Sequence, residues 1–187
     1  PRERGARWNG RCCHSTRRGS GGCGLGQLIT MSDFICFIPF SGPITFDVEQ
    51  LLDVVSREWK LKFNSLKSED IYVISSGSQQ LVLAEQNEQI SREFVDTLIS
   101  SYSQWNYEEI AELRNHRVLV SIRTPGNPVK SKQHLLFVAS LALALLKQEG
   151  AVGFINTTLC RYYPASYFRA YIGEKTPQPD ELKFMFV

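Results

Sequence analysis

The sequence predicts an α+β domain with a mixed or antiparallel sheet. Two observations predict it: short apolar runs bounded by Gly, Pro and Ser turns, and four-residue apolar spacing between them. The order reads β-α-β-β-α-β, a split β-α-β core, extended by α-β-α-β. A third observation concerns composition. Hydrophobic residues make up 43% of the 187 residues and charged residues 21%, so one domain can bury a core of its own.

The domain is expected over residues 31–187. Asp33-Phe34-Ile35-Cys36-Phe37-Ile38-Pro39-Phe40 reads as a first strand, closed by Ser41-Gly42-Pro43. From Phe46 to Trp59 a helix follows, with Val48, Leu51, Leu52, Val55 and Trp59 on one face. Asp47 and Glu49 sit in its first turn, where the helix dipole favours negative charge. Residues 70–74 and 80–84 read as a hairpin around Ser75-Ser76-Gly77-Ser78. Ile90, Phe94, Leu98 and Tyr102 mark a second helix, continued by a short piece from Tyr107 to Leu113. Residues 117–122 form a fourth strand, closed by Pro125-Gly126-Asn127-Pro128. The helix from Lys130 to Gln148 has an all-apolar centre, Leu135 to Leu146. It is too short for a bilayer, which needs about 20 residues, and is therefore expected to be the buried central helix, ended by Gly150. A fifth strand over 151–155 and a short helix opened by Pro164 follow, with Tyr163, Tyr167, Phe168 and Tyr171 on its face and Gly173 as its stop. Residues 181–187 read as the start of a sixth strand. It stops without a turn or a polar tail, so the chain is expected to be truncated there.

Residues 1–30 differ in kind. They hold six Arg and one Glu, seven of the 13 Gly, and Cys12, Cys13 and Cys23, with no apolar period. The remainder carries 15 Lys+Arg against 18 Asp+Glu, so the body is slightly acidic and gives no electrostatic reason to expect nucleic acid. The first Met, Met31, stands directly before the first strand. The leader therefore reads as a disordered or non-native segment, against the alternatives of a transit peptide, a basic arm or a zinc site at Cys12, Cys13, His14 and Cys23. With Cys36 and Cys160 alone in the body, a disulfide framework is not expected, and a reducing cytoplasm fits.

The body has no phosphate-cradling glycine loop, no HExxH or CxxC pattern and no G-x-S-x-G elbow, so no cofactor, metal or membrane partner is expected. Cys160 beside His116 or His134 would make a nucleophile and base, but a Cys just past a strand is ordinarily a small half-buried hydrophobe. His116, before a strand, suits capping of the preceding helix carbonyls, with ligand contact as the alternative. Lys130 and Lys132 near His134 could hold a phosphate, or be a solvated first turn. Trp105, Tyr107, Tyr162, Tyr163 and Tyr167 close the core's edges or, grouped together, would bind a protein partner.

The stretch from Glu112 to Tyr171 resembles the bacterial family known only as domain of unknown function 4261. The shared features are His116 before Val118-Leu119-Val120, the long apolar helix, the strand Ala151-Val152-Gly153-Phe154 and the helix start Pro164-Ala165-Ser166-Tyr167-Phe168. Strands two and three match more weakly. Where such proteins carry a Pro-Ile-Pro-like segment, this chain has Ala84-Glu85-Gln86-Asn87-Glu88-Gln89. The resemblance implies further strands after 182–187 and carries no activity. The function expected is a non-enzymatic interaction module of an immunity-like or regulatory kind in a bacterial cytoplasm. The alternative is an enzyme with a site near His116, Lys130 and Cys160. Intact mass measurement of the natively expressed protein is expected to give a chain that starts at Met31; recovery of a species containing Pro1 would overturn this.

Overall fold

The computed structural model describes residues 33–45, 47–100, 106–172 and 177–186. The leader, Phe46, Tyr102, Trp105 and Gly173 therefore lie outside the described residues. The chain runs β1 (Asp33–Phe40), α1 (Val48–Trp59), β2 (Asn64–Ser68), β3 (Ile71–Ser76), β4 (Gln79–Gln86), α2 (Arg92–Ser100), α3 (Tyr107–Arg114), β5 (Val118–Pro125), α4 (Lys132–Leu146), β6 (Gly153–Asn156), β7 (Arg161–Pro164), α5 (Ala165–Ile172) and α6 (Pro179–Leu182). One sheet holds all seven of these strands in the order β2-β3-β4-β5-β1-β6-β7, and every neighbouring pair is antiparallel. The α+β class is as expected, and of the two sheet types the antiparallel one is found. The split β-α-β unit is present one step later in the chain. Strands β5 and β6, joined through α4, run the same way because both are antiparallel to β1, which lies between them.

Local chemistry explains most boundaries. Asp47 is the N-cap of α1, its carboxylate accepting from the Glu49 N–H at 2.7 Å and the Gln50 N–H at 3.2 Å. At the other end Lys60 turns into the left-handed region at φ 54°. Gly77, at φ +58°, makes the two-residue turn of the β3–β4 hairpin, where an L side chain would be strained. Asn106 and Glu109 form a capping box on α3. The apolar centre of α4 is preceded by a 3-10 turn over Pro128–Lys130 and capped by Ser131.

Side chains alternate between two faces. On one, Cys36, Ile38 and Phe40 of β1, Val118, Val120 and Ile122 of β5, Ile74, Leu81 and Leu83 of β3–β4, and Phe154 of β6 pack with α1, α4, α5 and α6. On the other, Phe37, Leu119, Ile155 and Tyr162 lie under Phe94, Val95 and Leu98 of α2 and Leu113 of α3. Covered on both faces, β1 reads as a nearly unbroken apolar run. As expected, α4 is central: Leu135, Phe137, Val138, Leu141, Leu143, Leu145 and Leu146 are all buried. Among the described residues no helix is long and apolar enough to cross a membrane.

The structure corrects three readings. The expected sixth strand over 181–187 is instead α6 and a 3-10 turn over Lys183–Met185. Pro179 at the first helical position and the Gln178–Glu181 capping box start it. Leu182, Met185 and Phe186, spaced by three and four, are all buried. Phe186 lies 5.1 Å from Phe34 and 5.9 Å from Phe154, and Asn156 Nδ2 donates to the Met185 carbonyl at 2.9 Å. Among the described residues, 181–186 therefore form no strand. Pro164 ends β7, opposite Gly153, and α5 begins at Ala165. Helix α4 ends at Leu146 with Lys147 as its cap, and Gly150 takes φ +79° in the turn that returns the chain to the sheet. Strands β2 and β7 were not foreseen.

Strand β7 explains why position 153 is glycine. A Cβ there would stand 2.5 Å from both Tyr162 Cε2 and the Tyr163 carbonyl oxygen. The burial of α4 on all sides has a direct consequence for stability. Leu141→Asp, at a fully buried position, should lower stability by several kcal/mol (roughly 3–5) because it places an unpaired charge in the core. A denaturant melt checks this, and a loss under about 1 kcal/mol would mean that the helix is not the core.

Candidate functional site

His116 follows the end of α3 and is almost fully buried. Its Nε2 accepts from the Ile90 N–H at 3.0 Å. That leaves the proton on Nδ1, which donates to the Leu113 carbonyl at 2.6 Å in the last turn of α3. Its own carbonyl accepts from Gln89 Nε2 at 2.8 Å. The ring is thus the capping side chain that the sequence suggests, and it ties the entry of α2 to the exit of α3. Both nitrogens are used. Burial holds it neutral by pushing its pKa below the usual 6.5, partly opposed by the bond to Leu113.

His134 is placed in the same way at the opposite end of β5. The Thr124 hydroxyl donates to the Gln80 carbonyl at 2.9 Å, so it accepts from His134 Nε2–H at 2.7 Å. Burial lowers the pKa of this ring too. Lys130 and Lys132, beside it in sequence, are exposed. Lys130 lies beyond the end of β5 that is remote from His116. The eight residues of β5 lie between them, roughly 25 Å at about 3.4 Å per residue.

Cys160 closes the turn between β6 and β7 at φ 50°, half-buried against the α2 side of the sheet, with Sγ 3.8 Å from the Thr157 carbonyl. Thr157 is bonded to Ile35 near the start of β1, whereas Arg117, next to His116, is bonded to Phe40 at its end. The turn and His116 therefore sit at opposite ends of β1. His134 shares the end of Cys160 but lies across the sheet from it. The three residues His116, Lys130 and Cys160 do not converge.

The aromatic residues divide between the two faces. Tyr162 is fully buried under α2 and α3, its hydroxyl donating to the Val152 carbonyl at 3.2 Å; burial, with Glu109 and Glu112 nearby, pushes its phenol pKa far up. Tyr163 points to the other face, where it packs with Tyr167, Phe168 and Phe184 at centroid distances of 5.7–6.1 Å. Its hydroxyl donates to the Phe184 carbonyl at 3.2 Å. These rings close a core edge. Tyr107 is exposed and stands apart from them. Trp105 lies outside the described residues.

Two surfaces that the sequence reading missed do form. The first is a cleft of about 320 Å³ between α3 and the start of α5, lined by Glu108, Glu109, Glu112, Ser166 and Arg169, with Ser41 and Gly150–Val152 at its floor. Its polar groups serve the fold in part. Glu109 accepts from the Asn106 N–H through one oxygen and from the Ser166 hydroxyl through the other, joining the starts of α3 and α5. The acid spacing 108, 109 and 112 on one helix was readable. Its partner residues 166 and 169 were not, because nothing local places α5 beside α3.

The second surface is the α2 side of β2–β3–β4, which no described helix covers. By register, Leu66, Ile71, Val73, Val82 and Ala84 share this face. Leu66 is 75% exposed and Ile71 44% exposed. Among the described residues strand β2 ends the sheet, so one side of its backbone has no described strand partner. Among the described residues no group of three or more His, Cys, Asp or Glu is placed to hold a metal ion. No protein-family model, no curated protein and no solved structure matches the chain.

The His116 geometry predicts a pH effect. The imidazole stays neutral in the fold but takes up a proton near 6.5 when unfolded. Its contribution is complete above that pH and falls as pH drops below it, since only the unfolded chain gains the proton. His134 adds in the same direction. Melts from pH 7 to 5 should therefore show a loss of stability that is smaller in His116→Gln. At neutral pH, His116→Ala should cost about 2–4 kcal/mol, because it strands the Ile90 N–H and the Leu113 carbonyl. An unchanged melt in His116→Ala would refute the tie.

Proposed function

We propose that the chain is an interaction module that binds another protein in a bacterial cytoplasm, of an immunity-like or regulatory kind, and performs no chemistry of its own. The observation that supports this reading is the apolar face of β2–β3–β4 that no described helix covers, with Leu66 and Ile71 exposed on it and Val73 and Val82 half-buried. Exposed large hydrophobics are ordinary when scattered. Here the two lie on adjacent strands, Ile71 pairing with Ser68 two residues from Leu66, and Val73, Val82 and Ala84 continue the strip. An apolar strip beside a strand with one open edge is the usual form of a protein-binding sheet. The resemblance to the family of unknown function supplies the bacterial setting and no chemistry.

The alternative, an enzyme, draws on a different place from the one first considered. The residues His116, Lys130 and Cys160 are dispersed, and a catalytic reading would move to the cleft of Glu108, Glu112, Ser166 and Arg169. The binding reading is favoured because Glu109, the carboxylate next to Ser166, already has both oxygens engaged in bonds that join α3 to α5. A photo-crosslinking residue at position 71, introduced into the protein in its native cells, should give a discrete adduct with a protein. The same residue at Asp53, exposed on α1, should not. Equal labelling at both positions, or none at position 71, would count against the reading.

A further inference from the structure

We propose that His116 is an acid-sensitive latch on α2: when its ring takes up a proton it releases the segment that leads into α2 and keeps its hold on α3, so that α2 lifts from the sheet while the α4 core stays folded. The asymmetry lies in the two bonds of the ring. Nδ1 donates to the Leu113 carbonyl at 2.6 Å, and an imidazolium makes that bond equally well. Nε2 accepts from the Ile90 N–H at 3.0 Å, and an imidazolium cannot, because two N–H groups would then face each other. Acid therefore cuts one bond and leaves the other.

The bond that is cut holds the entry of α2. Residues 87–90 lead from β4 towards that helix. The two hydrogen bonds that they make among the described residues both end on His116, one from the Ile90 N–H to the ring and one from Gln89 Nε2 to the carbonyl. With nine residues α2 cannot persist as a helix alone, since isolated helices under about 12–15 residues are marginal. Its buried side chains, Phe94, Val95 and Leu98, belong to a cluster that α4 does not join. A unit of this kind opens more cheaply than the whole domain. The charged groups around the ring do not replace the lost bond. Glu88 ahead of α2, Arg92 and Glu93 on it, Glu112 and Arg114 on α3, and Arg117 before β5 are exposed, and the ring bonds to none of them. Glu109, further back on α3, has its oxygens on Asn106 and Ser166. Burial keeps the closed ring neutral, with its pKa below 6.5. Opened to water the ring regains its ordinary affinity for a proton, so the open form gains on the closed one as pH falls past 6.5. Phe37 and Ile155, which α2 and α3 cover, stand in one cross-strand row with Ser121 and Ala84. Opening would thus extend the apolar face of β2–β4, although the opening itself does not depend on the binding reading.

Amide hydrogen exchange of the full chain at pH 7.5 and pH 5.5, expressed as protection factors, tests this. Residues 92–100 and the Ile90 amide should be less protected than α4 at both pH values. Their protection should fall several-fold between the two, to a limit of about tenfold for one proton over that range. A low concentration of urea should speed exchange in α4 more than in α2, because local opening exposes less surface. His116→Gln, which carries no titrating group, should remove the pH dependence in α2. Protection of α2 equal to that of α4 would mean that the domain opens as one unit, and it overturns the proposal. So does a pH dependence in α2 that survives His116→Gln. Protection of the Ile90 amide that does not change with pH overturns it as well, and the parent chain alone reports this.

Discussion

The burial of α4 is the constraint on which the rest of the structure depends. A helix of Leu, Ala, Phe and Val with no polar side has to be covered all round. The sheet covers one side, through Phe40, Val120, Ile122 and Leu83, and α1 and α6 supply further cover. Each fully buried Leu contributes about 1.5–3 kcal/mol, and α4 carries five of them beside Phe137 and Val138. This also accounts for the C-terminal segment. Leu182, Met185 and Phe186 fold back as helical turns because α4 and the ends of β1 and β6 offer them an apolar site.

The same burial decides the state of the two histidines. An imidazole in a low-dielectric interior is cheapest when neutral and bonded through both nitrogens or through one strong partner. His116 does this with the Leu113 carbonyl of α3 and the Ile90 N–H ahead of α2, and His134 does it through Thr124. Each sits next to one end of β5, the strand that joins the two halves of the sheet. They fasten the β5 ends, His116 to the segment ahead of α2 and His134 to the first turn of α4.

Legibility followed the size of the apolar signal. The face of α1, the run of β1 and the core helix were readable because period and length agree at Leu51, Leu52 and Val55 and at Leu135 to Leu146. Strand β2 was not, because Asn64-Ser65-Leu66-Lys67-Ser68 holds one apolar residue and gains its structure from pairing with β3. Strand β7 is four residues long and was absorbed into the helix that Pro164 seemed to open. At the C-terminus two periods compete: Leu182, Phe184 and Phe186 alternate as in a strand, while Leu182, Met185 and Phe186 fit a helix. Pro179 and the capping box decide for the helix. The cleft and the bare sheet face depend on which helix lies over which strand, and no local pattern carries that.

That coverage is uneven, and the unevenness has a physical source. Helices α2 and α3 are short and stay over β1, β5, β6 and β7, where Phe94, Leu98 and Leu113 meet Phe37, Leu119, Ile155 and Tyr162. The crossover from β1 through α1 carries the chain past three strands to β2, and among the described residues the hairpin β3–β4 is covered by helices on its α4 side alone. An antiparallel sheet tolerates one wet face when that face is polar. Here Gln80 and Ser75 meet that condition, and Leu66, Ile71, Val73 and Val82 do not. At about 25 cal/mol per Å² of apolar surface, covering such a strip favours association. The described residues leave this gain unused, and that is the physical basis for the proposal that β2–β4 is the side of the molecule that meets others.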